Sequence, residues 1–475
     1  MYFLDKEYAG KVARILVSSY YKKWVSYFEG VLKVTRSKDV RNNKDVLLAI
    51  QLKLAKIETQ LWDLLNEGRG KAKILKSKDK LSIKEQKSLE GLEEQIFIHE
   101  QLIRISRTIC DGIAWRNLNY NRMFLTSSAR SFGTGRVDVN SKEFKSEFNW
   151  AYRISKELNS IVLINDLTHF LKVGDLTEIK DNVTFIHEIK KYGKDIKNIF
   201  TLKKVRGNAK ISNQAKRLLE LQRIALNGGV KIGDENVEAK EINLKLKTYN
   251  NKVKELIKKS ESELIVSEDI DDCINIEVIN FKAINQNKVK FEELKKISNK
   301  NKLGDKKDLI LIHSNWDTFY SDEQGNFLRS MPPYSVYPFS SKDCINLMSG
   351  FYLVKTTLNV SKLEQILKNK GWDIEDRTES DLDKQIADFE ENKGIMFTVK
   401  DPLYAHNPQD DGIFTIRKGP FSLPLSAMIY CRITMEYLSI ESLLDIVGEM
   451  YKIAAKKKSS DMYFPVFKDE EKMWN

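Results

Sequence analysis

The chain has 475 residues, 41% of them hydrophobic, and is therefore long enough for two or three hydrophobic cores. Its net charge of +12 fits a polyanionic partner such as nucleic acid, although an AT-rich genome would also enrich lysine. No apolar run has the length of a membrane span, the first residues lack the layout of a signal peptide, and the four cysteines show neither Cys-x-x-Cys pairing nor a disulfide framework. We therefore expect a cytoplasmic protein without a membrane partner.

Residues 1–130 are expected to form a helical domain. Apolar residues recur at helical spacing in three stretches: 12–32, 45–66 and 82–115. Ser82 and Glu85 form a Ser-x-x-Glu capping motif at the start of the last of these helices. The basic segment 68–80 is then expected to be the loop that joins the second and third helices as an antiparallel pair. Such a bundle can bind a partner subunit or a nucleic-acid backbone, or it can simply support the rest of the chain.

Aromatic and polar or basic residues alternate at the end of the third helix: Trp115, Arg116, Asn117, Tyr120 and Arg122. Aromatic rings can stack on bases and guanidinium groups can bind phosphates, so Arg116 and Arg122 are candidate contacts for nucleic acid. A buried Trp115 with arginines that extend toward the surface is an equally good interpretation.

An amphipathic helix is predicted over 142–158, with Glu143 and Glu147 one turn apart. The apolar segment 161–171 follows and is expected to be buried. Its Asn-Asp-Leu-Thr sequence is typical of a cap or a turn, which is the role we expect for it, although Asp166 could also reach a site nearby.

The most informative stretch is KVGDLTEIKDNVTFIHEIKK, residues 172–191. Two runs of strand character flank a tight Lys-Asp-Asn turn: 174–179 and 183–190. Because side chains alternate along a strand, Glu188 and Lys190 share one face of the second strand. An antiparallel hairpin would bring Asp175 opposite that end of the strand.

Asp175, Glu188 and Lys190 suit the chemistry of a metal-dependent phosphodiesterase. Two carboxylates bind Mg²⁺ or Mn²⁺ as hard oxygen ligands and leave coordination positions for water and a phosphate oxygen. The lysine can orient or deprotonate the attacking water and offset the charge that develops. The Glu-x-Lys tripeptide recurs elsewhere in this chain, so the assignment depends on its context, and a solvated hairpin with an exposed charged face is the alternative.

Asp175 followed by Glu188-Ile189-Lys190 resembles the Asp…(Asp/Glu)-x-Lys signature of the PD-(D/E)XK nuclease superfamily. The resemblance covers residues of about 143–229, and the proline of the superfamily name is absent because Gly174 precedes Asp175. It implies a restriction-endonuclease-like αβββαβ core, Mg²⁺ or Mn²⁺ as the cofactor, and endonuclease activity.

The same resemblance implies supporting residues outside the hairpin. A glutamate of the helix before the first strand often joins the metal ligands in this superfamily, so Glu147 is the third candidate ligand, with Glu143 as the other choice. Two further elements would complete the core: a strand over 199–205 and a helix over 213–226. Members often place a glutamine or a basic residue on that helix, here Gln214 and Arg217. Solvated charges without a catalytic role are the alternative for each of these residues.

Two regions follow the core. Residues 233–305 are rich in lysine and are expected to be a partly structured connecting region, and residues 306–475 a mixed α/β accessory domain. A long C-terminal helix is predicted over 425–457. The segment 331–339, rich in proline and tyrosine, is expected to be an ordered surface loop able to grip a base or a peptide.

The sequence as a whole predicts a mixed α+β protein in which a nuclease core over 131–232 lies between the helical and the accessory domains. The predicted function is that of a metal-dependent endonuclease acting on DNA, in restriction or anti-phage defence, with a possible partner protein or as a homo-oligomer. Two alternatives stay open: a non-catalytic nucleic-acid-binding or scaffold subunit, and a nuclease directed at RNA.

Overall fold

A computed structural model describes residues 14–41, 43–121, 124–125, 128, 136–171, 173–181, 183–189, 229–232, 235–242, 244–282, 310–315, 332–376, 414–418, 421–424, 427–456, 462–467 and 473. These residues form a mixed fold of helices and four small sheets. Within them, no helix combines the length and the apolar character needed to cross a membrane.

Between residues 19 and 117 the described part of the chain forms four helices: α1 Ser19–Thr35, α2 Lys38–Arg41, α3 Lys44–Lys76 and α4 Ile83–Asn117. The predicted capping box at Ser82 and Glu85 is confirmed. The predicted loop over 68–80 is wrong, because α3 continues to Lys76. Gly68 stays helical because it packs against Ile96 of α4, where a Cβ atom would lie 3.3 Å from a side-chain carbon.

Helices α3 and α4 pack side by side in opposite directions, as predicted. Near the tip of the pair, Lys76 forms an ion pair of 2.8 Å with Glu93. Near its base, the Arg107 Nε atom donates to the Glu58 carboxylate at 2.5 Å, and both side chains are buried. A buried pair of this kind tolerates no shift between the helices, because a shift would leave a charge unpaired in the core.

The next unit contains one helix and a three-stranded antiparallel sheet: α5 Lys142–Glu157, β1 Ile161–Ile164, β2 Leu176–Lys180 and β3 Val183–His187. The predicted hairpin is confirmed, with β2 paired to β3 and the turn at Asp181 in the left-handed region at φ 50°. The second strand is shorter than predicted, because β3 ends at His187 and Glu188 follows it. The outer strand β1 is held by the amide of Gln51 from α3, which accepts from Ile164 N at 2.8 Å and donates to Val162 O at 2.9 Å. The elements predicted over 199–226 lie outside the described residues.

A second sheet joins distant parts of the chain: β4 Gly229–Ile232, β5 Glu235–Ile242 and β13 Met462–Phe467. Its order is β13-β5-β4, and β13 runs parallel to β5. The C-terminal strand thus pairs with residues that directly follow the predicted nuclease core.

The third sheet has the order β6-β7-β9-β8. Its strands are β6 Ile265–Asp271, β7 Ile274–Asn280, β8 Ile310–Ser314 and β9 Tyr352–Asn359, and the helices around it are α6 Asn250–Lys259, α7 Ser341–Met348 and α8 Val360–Asn369. Strands from both sides of the expected boundary at 305 share this sheet. Residues 265–280 are therefore part of a packed sheet in this structure, where the sequence led us to expect a connecting region.

The last elements are β10 Asp373–Asp376, β11 Phe414–Lys418, β12 Phe421–Pro424, α9 Ala427–Thr434 and α10 Ile440–Lys456. The single helix predicted over 425–457 is wrong. The chain breaks where Tyr437 adopts φ 59°, and Ser439 then caps α10 by accepting from Ser442 N at 3.1 Å.

The expected surface loop at 331–339 is also wrong. Tyr334, Ser335, Val336, Tyr337 and Phe339 are all buried. The Ser335 hydroxyl donates to Thr108 O of α4 at 2.7 Å, and the Tyr337 hydroxyl donates to Met435 O at 2.8 Å. The aromatic residues fill the space between α4 and the region after α9, so they cannot grip a base or a peptide without leaving the core.

The helical part and the segment 332–350 thus form one interface. Arg36, the residue that follows α1, donates to Phe339 O at 2.7 Å and to Tyr337 O at 2.8 Å. The closest approach is at Gly112 of α4, where a Cβ atom would lie only 2.2 Å from the Ser335 Oγ atom. The absence of a side chain at residue 112 is what allows this segment to lie against the helix.

Candidate active site

The two acids of the motif lie at the same end of the β2–β3 hairpin. Leu176 pairs with His187, so Asp175 directly precedes one strand and Glu188 directly follows the other. The Asp175 N–H donates to His187 O at 2.8 Å, and the Asp175 carboxylate accepts from the Ile189 N–H. The structure therefore brings Asp175 next to the Glu188 segment, as the sequence predicts.

Gly174 explains why proline is absent before Asp175. Its φ of +73° is closed to proline, whose ring fixes φ near −65°. A Cβ atom at this position would also lie 2.5 Å from Ile186 Cγ2 and 2.9 Å from His187 O. Only glycine meets both conditions without strain, so this local geometry requires the observed departure from the superfamily motif.

Helix α5 contributes further carboxylates to this end of the hairpin, and together they form what we call the acidic centre: Glu143, Glu147, Asp166, Asp175 and Glu188. Burial, and after it the neighbouring negative charges led by Asp175 and Asp166, together raise the pKa of Glu147 to about 8. Glu147 therefore lies within the electrostatic field of both motif acids, on the helix from which a third ligand was expected.

A buried asparagine supports the backbone of the acidic centre. Asn165 donates from its amide to Val173 O at 3.0 Å and to Gly174 O at 3.1 Å, and it accepts from the Thr177 hydroxyl at 2.8 Å. Its own N–H donates to Asp175 O at 3.0 Å. The predicted turn role of this sequence is observed, but its link to Asp175 was missed, because a hydrogen bond across ten residues leaves no local sequence signal.

The two histidines near the acidic centre are bound to other carboxylates. His169 Nδ1 lies 2.6 Å from Asp111 Oδ2 of α4, and the His169 N–H donates to the other oxygen of Asp111 at 2.7 Å. His187 lies 2.8 Å from Glu178, as a packed sheet residue. Although burial acts to raise it, the hydrogen bonds from His187 and Ser160 hold the pKa of Glu178 below its ordinary value.

Arg116 does not extend toward the surface, where the sequence led us to expect a contact with nucleic acid. The side chain is buried, with Nε donating to Gly112 O at 2.9 Å and Nη1 to Thr35 O at 3.1 Å. Burial lowers its pKa to about 10. Trp115 is fully buried, in agreement with the alternative interpretation of that stretch. Four other predicted site residues lie outside the described residues: Arg122, Lys190, Gln214 and Arg217.

The donor chemistry of the acidic centre suits a hard divalent cation, since carboxylate oxygens are the ligands that Mg²⁺ and Mn²⁺ prefer. A dication would also offset the repulsion that raises the pKa of Glu147. In the described ranges, however, no group of three or more His, Cys, Asp and Glu side chains has an arrangement that could hold a metal ion. Side-chain rotation would have to precede the binding of a cation.

Comparison with known proteins adds no family assignment. No protein-family model matches the chain, and no curated protein or solved structure matches it significantly.

Proposed function

We propose that the protein is a metal-dependent nuclease that hydrolyses phosphodiester bonds, with DNA as the leading substrate. One observation carries the proposal: Asp175 and Glu188 flank the same end of an antiparallel hairpin, and α5 brings Glu147 into their field. The order α5-β1-β2-β3 supports a core of the PD-(D/E)XK kind.

In this proposal, Asp175, Glu188 and Glu147 would hold Mg²⁺ or Mn²⁺, and the bound ion would stabilise negative charge that develops on the phosphate. The Ile189 N–H orients the Asp175 carboxylate. Asn165 holds the backbone on the other side of Asp175. Lys190, two residues after Glu188, is proposed to orient the attacking water and to offset charge on the phosphate.

The test replaces each motif acid by its amide, which keeps size and hydrogen-bonding capacity. We expect Asp175→Asn and Glu188→Gln each to abolish Mg²⁺- or Mn²⁺-dependent cleavage of DNA and RNA substrates, and Lys190→Ala to slow it by a factor on the order of 10². Asp79→Asn, in the exposed turn between α3 and α4, is the control and should cut as fast as the parent. Cleavage at the parental rate by either amide variant would remove these residues from the reaction.

A second candidate is a non-catalytic nucleic-acid-binding or scaffold subunit. The observation in its favour is the lack of a preformed metal-binding group in the described residues. Isothermal titration with Mn²⁺ separates the two: the nuclease proposal expects binding that Asp175→Asn abolishes, and the scaffold proposal expects none.

We propose that the nuclease acts in restriction or anti-phage defence in the cytoplasm, either in complex with a partner protein or as a homo-oligomer. This step is an analogy from domain architecture, since a fold does not fix a function. Loss of protection against phage in cells that carry Asp175→Asn, compared with cells that carry Asp79→Asn, would support it.

A further inference from the structure

A basic cleft lies between the helical part and the hairpin. Its volume is about 1010 Å³, and it is lined by the α2–α3 junction, the C-terminal end of α4, and the turn between β2 and β3. Five cationic side chains contribute to the lining, against three aspartates and four asparagines: Lys38, Arg41, Lys44, Arg116 and Lys180. Cations are therefore in excess, and the amides can form hydrogen bonds with polar ligand groups. The volume is at the upper end of the roughly 300–1,000 Å³ range of ligand sites.

Two of these cations are available for a ligand. Lys38 and Lys180 are exposed, and no carboxylate of the described residues forms an ion pair with either. Lys44 is used differently, since it donates to Ser155 O at 2.9 Å and to the Asn159 side chain at 2.5 Å. The excess positive charge of the cleft thus comes from two separate elements of its lining, α2 and the end of the hairpin.

Two elements connect this cleft to the acidic centre. Strand β2 separates Asp175 from Lys180 by five residues, or about 16 Å at 3.3 Å per residue. Helix α5 and its C-terminal end separate Glu147 from Asn159 by twelve residues, or about 18 Å at 1.5 Å per residue. The two estimates agree, so the cleft and the acidic centre lie at opposite ends of one layer.

Helix α5, which extends from the acidic centre toward the cleft, carries an exposed aromatic ring. Tyr152 and Lys156 are four residues apart in α5 and therefore lie on one side of the helix. The Tyr152 side chain is 52% exposed, and the Lys156 ammonium lies 5.9 Å from its ring. An exposed ring beside a cation is a stacking position for an unpaired base, because the bases of a duplex are stacked on each other.

We propose that a single nucleic-acid strand runs from the acidic centre along α5 into the basic cleft, with a base on Tyr152 and phosphates on Lys38 and Lys180. The direction of the strand rests on the proposed function, which places the reacting phosphate at Asp175 and Glu188. The cleft then holds the strand about 16 to 18 Å from that phosphate. The preferred substrate is single-stranded.

The test measures binding of a 20-nucleotide single strand to the full chain by fluorescence anisotropy in EDTA, so that cleavage does not interfere. We expect Lys38→Glu with Lys180→Glu to weaken binding at least tenfold. The slope of log affinity against log salt should fall by about 1.4, since each lost phosphate contact removes about 0.7 for a single strand. The control, Lys84→Glu with Lys87→Glu on the exposed start of α4, changes the net charge equally and should weaken binding less than twofold. Equal effects of the two double variants would overturn the proposal.

Two variants of Tyr152 test the proposed stacking of a base on its ring. Tyr152→Ala should weaken single-strand binding about fivefold or more, whereas Tyr152→Phe, which keeps the ring, should bind as the parent does. DNA and RNA single strands of one sequence show which sugar the path accepts, and the matching DNA duplex should bind at least tenfold more weakly. Equal affinity for duplex and single strand would contradict the proposed path.

These outcomes are separable from those of the nuclease proposal. If a strand binds through Lys38, Lys180 and Tyr152 but no metal-dependent cleavage occurs, the strand path is supported and the nuclease proposal is contradicted. Cleavage that requires Asp175 but does not depend on Lys38, Lys180 or Tyr152 would support the nuclease proposal and contradict the proposed strand path.

Discussion

Gly174 determines, at the scale of one residue, where Asp175 lies. Its positive φ turns the chain so that Asp175 N meets His187 O and the Asp175 carboxylate meets Ile189 N. Any side chain at residue 174 would strain the backbone and contact Ile186. Gly174 has no side chain, but its conformation determines the position of the Asp175 carboxylate.

We predict that Gly174→Ala lowers the free energy of unfolding by about 1–3 kcal/mol and slows cleavage, because strain is relieved by moving Asp175. Gly30→Ala is the control, since a Cβ atom there meets nothing within 4 Å. Urea unfolding and cleavage rates measure the two effects. A Gly174→Ala protein with parental rates would show that the position of Asp175 does not depend on this turn.

Glu147 gives the apo protein a specific pH dependence. Its pKa is about 8 in the folded chain, above the ordinary 4.5, so the folded state holds a proton that the unfolded state has lost between these values. The contribution of Glu147 to the free energy of unfolding is therefore fully present below about pH 4.5 and declines as the pH rises toward 8. We expect Glu147→Gln to flatten the fall of Tm over this range in EDTA.

Glu157→Gln is the matched control for Glu147→Gln, because Glu157 is on the same helix and is 68% exposed. Thermal unfolding in a series of buffers measures both variants. An unchanged pH profile in Glu147→Gln would mean that Glu147 is ionised in the folded protein at neutral pH.

Sequence alone located Asp175 and Glu188 because the alternation of β2 and β3 and the Lys-Asp-Asn turn are local signals. It misjudged Arg116 and Tyr334, which are buried. Their burial depends on residues that are distant in the chain, such as Thr35 for Arg116 and helix α4 for the segment of Tyr334. The residue type alone does not distinguish a surface contact from a core contact. Asn165 was missed as a support of Asp175 for a related reason.

Among the secondary-structure elements, boundaries were predictable where capping chemistry sets them. Ser82 and Glu85 mark the start of α4 in the sequence and in the structure. The end of α3 and the break at Tyr437 were not predictable, because contacts outside the local sequence determine them. Gly68 packs on Ile96, and Leu438 N donates to Arg432 O across the break. Local helix propensity carries no information about either contact.

The pairing of distant strands was the least predictable feature. β7 joins β9, and β5 joins β13, across long separations along the chain. Glu277 in the middle of β7 reads as a solvated residue, yet it is buried and forms an ion pair of 2.6 Å with Lys355 of β9. A charge that is neutralised by a neighbouring strand cannot be distinguished in the sequence from a charge that faces water.

For the whole molecule, the interface at Gly112 predicts that the helical part and the segment 332–350 unfold together. We expect Gly112→Ala to lower the free energy of unfolding by about 1–3 kcal/mol, because the new methyl group overlaps Ser335. Gly91→Ala on the same helix, where a Cβ atom meets nothing within 4 Å, should instead stabilise by up to about 1 kcal/mol.

Urea unfolding followed by circular dichroism distinguishes the two alanine variants. Ser335→Gly combined with Gly112→Ala removes the overlapping atoms and should recover most of the loss. If Gly112→Ala were as stable as Gly91→Ala, the close approach of residues 112 and 335 would not exist in solution.

The hydrogen bond between Ser335 and Thr108 also has a consequence for protein synthesis. The two residues are 227 positions apart, so at about 5–20 residues per second the ribosome delivers Ser335 roughly 10 to 45 s after Thr108. Throughout that interval the surface of α4 around Gly112 is bare, and the same turn of α4 carries Asp111, which holds His169 in the loop that leads to Asp175. A nascent chain that stalls early therefore carries its acidic residues on an incompletely packed support. Chaperone capture and proteolysis, rather than premature activity, are the expected fate of such a fragment.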